Sequence, residues 1–295
     1  MAEKGLDLAY HYSPSRWSHR YSPDDVIDAH LKFVEDNTKT AKWCLEVETD
    51  ICYGKTPNQK IDVYIDKKTN KKGSPIFAYL HGGYWQALSR ESSGYMAPPL
   101  AQAGATVVAI GHDLAPTASM DEIVLQVKRA MAFIFKLAKE RQSSGIYLCG
   151  HSAGAHLAAM MLTCEFEEDD AFDCELIKGA VLVSGIYDLR PLVTTYVNEP
   201  LKLTSEDAWR FSPCNFVDEI ARMCQSREII LAVAEYDPPE YRRQTGEMEK
   251  SLRDKGVKTK YYDIPDTDHF NIIEKLHNAK YTLTQVCLQM MGLVK

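Results

Sequence analysis

From residue 43 onward, short apolar runs rich in β-branched residues alternate with longer stretches in which apolar residues recur every three or four positions. This rhythm predicts a mostly parallel sheet covered by helices. Strands are predicted at residues 44–52, 61–65, 75–81, 106–111, 146–149, 179–184, 229–234 and 258–264. The first two alternate apolar and polar positions, as in Leu45-Glu46-Val47-Glu48, and fit an antiparallel edge with one wet face. Ala105-Thr106-Val107-Val108-Ala109-Ile110 is apolar almost throughout and fits a strand buried on both faces. Helical spacing marks residues 120–139, 153–162 and 283–293.

Two regions depart from the rhythm. Residues 1–42 form an N-terminal extension in which a polar, aromatic stretch, Tyr10 to Trp17, precedes a helix start at Ser22-Pro23-Asp24-Asp25. Serine caps such a helix and proline fits its first turn. Residues 190–225, with Trp209, Phe211, Pro213 and Phe216, read as a small cap inserted into one domain spanning 1–295.

Composition narrows the classes. The chain has 295 residues, enough for a single large core, and its hydrophobic and charged shares, 45% and 25%, are those of a globular protein. A formal net charge of -7 argues against a phosphate-tracking surface, so no nucleic-acid partner is expected. The first seven residues lack a signal-peptide pattern and no apolar run is long enough to span a bilayer, so a soluble, cytoplasmic protein without membrane association is expected. Eight scattered cysteines with no C-x-x-C pair read as free thiols, and Cys149 as a small buried residue of a strand. The acidic stretch Glu165 to Asp170 lacks the ligand spacing and glycine of a calcium loop and reads as solvated.

The chemistry concentrates at Gly150-His151-Ser152-Ala153-Gly154, which follows a predicted strand and opens a helical run. In that setting G-x-S-x-G describes a strained turn that lifts a serine hydroxyl above the sheet edge, here Ser152. His81-Gly82-Gly83-Tyr84-Trp85 follows a buried strand, and its glycines free backbone N–H groups to face a cavity. With the amide of Ala153, those of Gly82 and Gly83 are expected to form an oxyanion hole. A serine nucleophile needs a base and the base an orienting acid, in the chain order Ser, Asp or Glu, His. His269, in a loop just after a strand, is the expected base, ahead of His277 in a helical pattern. Asp237, after residues 229–234, is the expected acid, with Asp188 and Glu240 as rivals and a helix cap as its structural alternative.

On these motifs the chain is identified as a member of the α/β-hydrolase fold, with a mostly parallel eight-stranded sheet, helices on both faces and a small cap. Tyr84-Trp85, Gly150 to Leu157, Tyr12 to Trp17 and Ser184 to Leu189 resemble the kynurenine formamidases (arylformamidases) of animals in particular. That resemblance implies hydrolysis of N-formyl-L-kynurenine to formate and L-kynurenine in tryptophan breakdown, by a Ser-Asp-His triad, with no cofactor and no metal. It implies Ser152 as nucleophile, His269 as base, Asp237 as its partner, and Gly82, Gly83 and Ala153 on the oxyanion. Tyr84, Trp85 and Trp17 would line an aromatic pocket for the leaving arylamine. A general carboxylesterase of the hormone-sensitive-lipase-like group and a non-catalytic binding protein on the same scaffold remain alternatives, and a homodimer stays open.

Overall fold

The computed structural model, described over residues 7–163 and 174–294, places its strands on the apolar runs: β1 (Glu46–Cys52), β2 (Lys60–Ile65), β3 (Ile76–Leu80), β4 (Thr106–Ile110), β5 (Ile146–His151), β6 (Ile177–Val183), β7 (Glu228–Ala234) and β8 (Lys258–Ile264). They form one sheet in the order β1-β2-β4-β3-β5-β6-β7-β8. β2 runs antiparallel to both β1 and β4, and all other neighbours are parallel. The alternating pattern of residues 45–48 thus belongs to an edge strand, while β3 and β4 are buried at every position.

The strand predicted from residue 44 begins two residues later. The helix Pro23–Cys44 runs through that position, and the Leu45 amide still donates to the Ala41 carbonyl at 3.0 Å, so pairing with β2 starts only at Glu46. The start of this helix is as expected, with Ser22 accepting from the Asp25 amide and Pro23 in the first turn.

Successive strand side chains point to opposite faces, so each strand feeds two cores. On one face Ile76, Ala78 and Leu80 of β3 pack with Leu148 and Leu182 beneath the helices Met120–Arg141 and Ala153–Met161. On the other, Phe77 and Tyr79 join Val107, Cys149 and Val181 beneath Pro23–Cys44, Ala97–Gln102 and Thr282–Met290. Between β6 and β7, residues 190–225 hold short helical segments, Arg190–Thr194, Asn198–Leu201, Ser205–Arg210, Pro213–Phe216 and Val217–Met223.

The acidic stretch Glu165 to Asp170 lies outside the described residues. Cys44, Cys52, Cys149, Cys214, Cys224 and Cys287 are free thiols, and Cys149 is buried in β5. Among the described residues no helix is long and apolar enough to cross a membrane.

Candidate active site

The parallel strands deliver their C-terminal ends to one edge of the sheet, where ligand sites of open α/β sheets form. At that edge the chain leaves β5 through Ser152, whose φ of 54° and ψ of -119° put a non-glycine residue in a strained left-handed conformation. The Ser152 amide donates to the Val183 carbonyl at 2.8 Å, which ties the turn to β6. Glycine is required on both sides. A Cβ on Gly150 would collide with the backbone of Gly154 and Ala155, and one on Gly154 with the Leu80 and His81 carbonyls. The helix Ala153–Met161 begins at once, so the Ala153 amide is among those a helix start leaves without an intrahelical acceptor.

Asp237 follows β7 and His269 follows β8, at the same edge. His269 Nδ1 lies 2.6 Å from Asp237 Oδ1, with both residues almost fully buried. The other carboxylate oxygen accepts from the Ser184 hydroxyl at 2.5 Å and the Ala234 amide at 2.7 Å. Asp237 is therefore fixed by three donors, and its hold on Nδ1 leaves Nε2 of His269 as the proton acceptor. His151, next to Ser152, adds a brace by donating from Nε2 to the His269 carbonyl at 2.8 Å. Burial, with His269 close by, holds the His151 pKa well below the usual histidine range and keeps it neutral.

The rival groups are engaged elsewhere. Asp188 forms an ion pair with Arg190 at 2.7 Å, Glu240 one with Arg243 at 2.6 Å, and His277 is 2.9 Å from the Glu274 carbonyl. His156 is buried in the helix after Ser152 and donates to the Phe211 carbonyl at 2.7 Å.

Gly82 packs directly on the Ser152 turn, where a Cβ would stand 3.3 Å from that of Ser152. His81 Nδ1 lies 2.9 Å from the Gly82 carbonyl, and burial beside His112 pushes the His81 pKa down to about 3. The neutral ring thus donates to that carbonyl. A planar trans peptide points its C=O and N–H in opposite directions, so His81 sets the orientation of the Gly83 amide.

The predicted substrate contacts divide. Trp85 is fully buried, and its indole N–H donates to His156 Nδ1 at 3.2 Å. Positive φ at Tyr84 and Trp85 turns the chain back on itself and drives this ring into the core, which corrects its assignment to the pocket wall. Trp17 is half-buried and lines a cleft of about 490 Å³ with His19, Glu235, Tyr236, Pro239 and Arg242, bordered by Asp237. Another cleft, of about 520 Å³, is lined by residues between Leu31 and Ser92 and by none of Ser152, Asp237 or His269. Tyr84 stays near the site, its hydroxyl donating to the Tyr12 carbonyl at 2.6 Å and accepting from Tyr241 at 2.5 Å. Tyr241, 1% exposed, lies edge-on to His269 at 4.8 Å between ring centres. Sequence reasoning missed the parts played by Ser184 and Tyr241, because neither sits in a local motif with a catalytic meaning. Among the described residues no group of three or more His, Cys, Asp or Glu side chains is arranged to hold a metal ion.

Comparison with known proteins gives the family. The BD-FAE family model matches residues 61–221. A kynurenine formamidase of Danio rerio is 46% identical over 97% of this chain and 96% of its own. The chain belongs to the kynurenine formamidases. A Drosophila melanogaster member of that family is 29% identical, with 92% of each chain covered. Among solved structures, a protein of Silicibacter sp. tm1040 described as a thioesterase superposes with a TM-score of 0.74 at 26% identity, covering 96% of this chain and 99% of that one. A Pyrobaculum calidifontis esterase, at TM-score 0.69 and 19% identity over 92% and 93% of the two chains, shares the α/β-hydrolase fold. The chain is accordingly a hydrolase built on that fold.

Proposed function

We propose that this formamidase cleaves N-formyl-L-kynurenine to formate and L-kynurenine through a formyl-enzyme on Ser152. The observation that carries this reading is the 2.6 Å Asp237–His269 pair at the same sheet edge where the chain leaves β5 through Ser152 at a φ of 54°. Ser152 Oγ attacks the formyl carbon while its proton passes to His269 Nε2, and the carbonyl oxygen takes negative charge. The amides of Gly82, Gly83 and Ala153 receive that charge, and Asp237 stabilises the imidazolium. The intermediate collapses as His269 hands its proton to the leaving arylamine nitrogen. Water then adds to the Ser152 ester with His269 as base, releasing formate and restoring the serine hydroxyl.

The single catalytic domain, 1–295, carries residues 190–225 as its cap, and Tyr84 and Trp17 contribute to the arylamine side of the pocket. The free thiols suit a reducing compartment, and we place the enzyme in the cytoplasm. The test compares kcat/KM for N-formyl-L-kynurenine with that for p-nitrophenyl acetate, using Ser152→Ala as the blank. A preference for the formamide that vanishes in the blank is expected. A preference for the ester would keep Ser152 as nucleophile and make the chain a general carboxylesterase.

A further inference from the structure

We propose that Tyr241 sets the acyl specificity of this site, its hydroxyl forming a fixed ceiling over Ser152 that admits a formyl group and excludes larger acyl groups. The inference rests on the formamidase reading above. Tyr241 projects from the first turn of the helix Pro239–Asp254 and is almost completely buried. Its ring meets His269 edge-on at 4.8 Å, and its hydroxyl interacts with that of Ser152.

What makes the ceiling rigid is a directed chain of hydrogen bonds. The Tyr12 carbonyl can only accept, so Tyr84 donates to it at 2.6 Å and in turn accepts the Tyr241 proton at 2.5 Å. Tyr12 itself is 0% exposed, and its hydroxyl is held by Glu240 at 3.1 Å and by Gln244 at 2.6 Å. For Tyr241 to move aside, buried hydroxyls must give up their partners, and a buried polar group left unsatisfied is costly.

Any acyl group on Ser152 Oγ shares the space under this hydroxyl. A formyl carbon brings only a hydrogen there, and an acetyl carbon brings a methyl. One methylene of misfit in a packed pocket is worth roughly 10- to 200-fold in kcat/KM. The arrangement therefore selects on the acyl side without a dedicated acyl pocket, and leaves the size of the leaving group to Trp17, Tyr84 and the cap.

The experiment measures kcat/KM for phenyl formate and phenyl acetate, which share a leaving group, in wild type, Tyr241→Phe and Tyr241→Ala. Circular dichroism and melting report folding. The acetate-to-formate ratio is expected to rise about 10-fold or more in Tyr241→Ala. It should rise by a smaller factor in Tyr241→Phe, which keeps the ring on His269 and removes the oxygen that meets the Ser152 hydroxyl. Should Tyr241→Ala fail to fold, the Phe variant decides. A ratio that stays at the wild-type value in the folded variants overturns the assignment, even if both rates fall together, since a merely structural role lowers both alike. Wild-type enzyme that hydrolyses neither N-formyl-L-kynurenine nor phenyl formate would overturn the formamidase reading along with it.

Discussion

The backbone around Ser152 is shaped by its own strand–turn–helix unit and the strands on either side, β3 through its last residue Leu80 and the following His81, and β6 through Val183. Tyr12, just as thoroughly buried, is held by Tyr84, Tyr196, Glu240 and Gln244, from 72 to 232 positions away. The first region is a local device set into a rigid sheet, and the second a cover assembled from distant parts. Removing the Ser152 hydroxyl should stop the chemistry and spare the fold, whereas a substitution in the cover should weaken the fold and spare the chemistry.

The largest expected effect breaks the device alone. Ser152→Ala should lower kcat for N-formyl-L-kynurenine on the order of 10⁴- to 10⁶-fold with an unchanged melting temperature. A well-folded, uncontaminated variant with near-wild-type turnover would sink the mechanism. Next comes the acid. Asp237→Asn should cost about 10⁴-fold through a misoriented imidazole, while Asp188→Asn, which loses only its partner Arg190, should stay within a few-fold of wild type. Equal losses in the two would mean that the acid is misassigned.

On the other side, Tyr12→Phe removes a hydroxyl that accepts from Gln244 and donates to Glu240 but leaves the carbonyl that anchors Tyr84. Its expected cost is about 1–3 kcal/mol of stability, read by denaturant titration, with kcat within a few-fold of wild type. A collapse of kcat at unchanged stability would erase the distinction between device and cover.

The last effect is a graded one, in pH. Burial pushes His81 down to about 3 and His156 down to about 4, so both stay neutral in the fold but bind protons once unfolded, near pH 6.5. The unfolded state then holds more protons between pH 6.5 and about 4. Stability should fall as pH drops through that window, by up to about 1.4 kcal/mol per pH unit for each ring. His156→Asn should flatten the dependence of melting temperature on pH, and an unchanged slope would show that this ring is not held neutral.

The same contrast explains what the sequence made legible. Ser152, Asp237, His269 and the Gly82-Gly83 pair each follow an apolar strand directly, so a short window sufficed to place them at the sheet edge. Apolar periodicity also located the eight strands, and it erred at residues 44 and 45, where the hydrogen bonds of a capped helix outlast the alternating pattern. Trp85 was misjudged because its direction depends on positive φ at two residues and on His156, 71 positions away. Ser184 and Tyr241 carry no local mark at all. Their parts exist only once β6 lies beside β7 and the helix after Asp237 has docked over the turn.

From β5 onward the strands lie in space in the order in which they occur in the chain, so Ser152, Ser184, Asp237 and His269 line the edge in succession. A ribosome making this protein completes the nucleophile turn first and the base last. The nascent chain therefore carries its serine through the whole stretch from Ser152 to His269 without a partner able to activate it. Any truncation upstream of His269 has the same result, an inert fragment in place of a weakly controlled hydrolase.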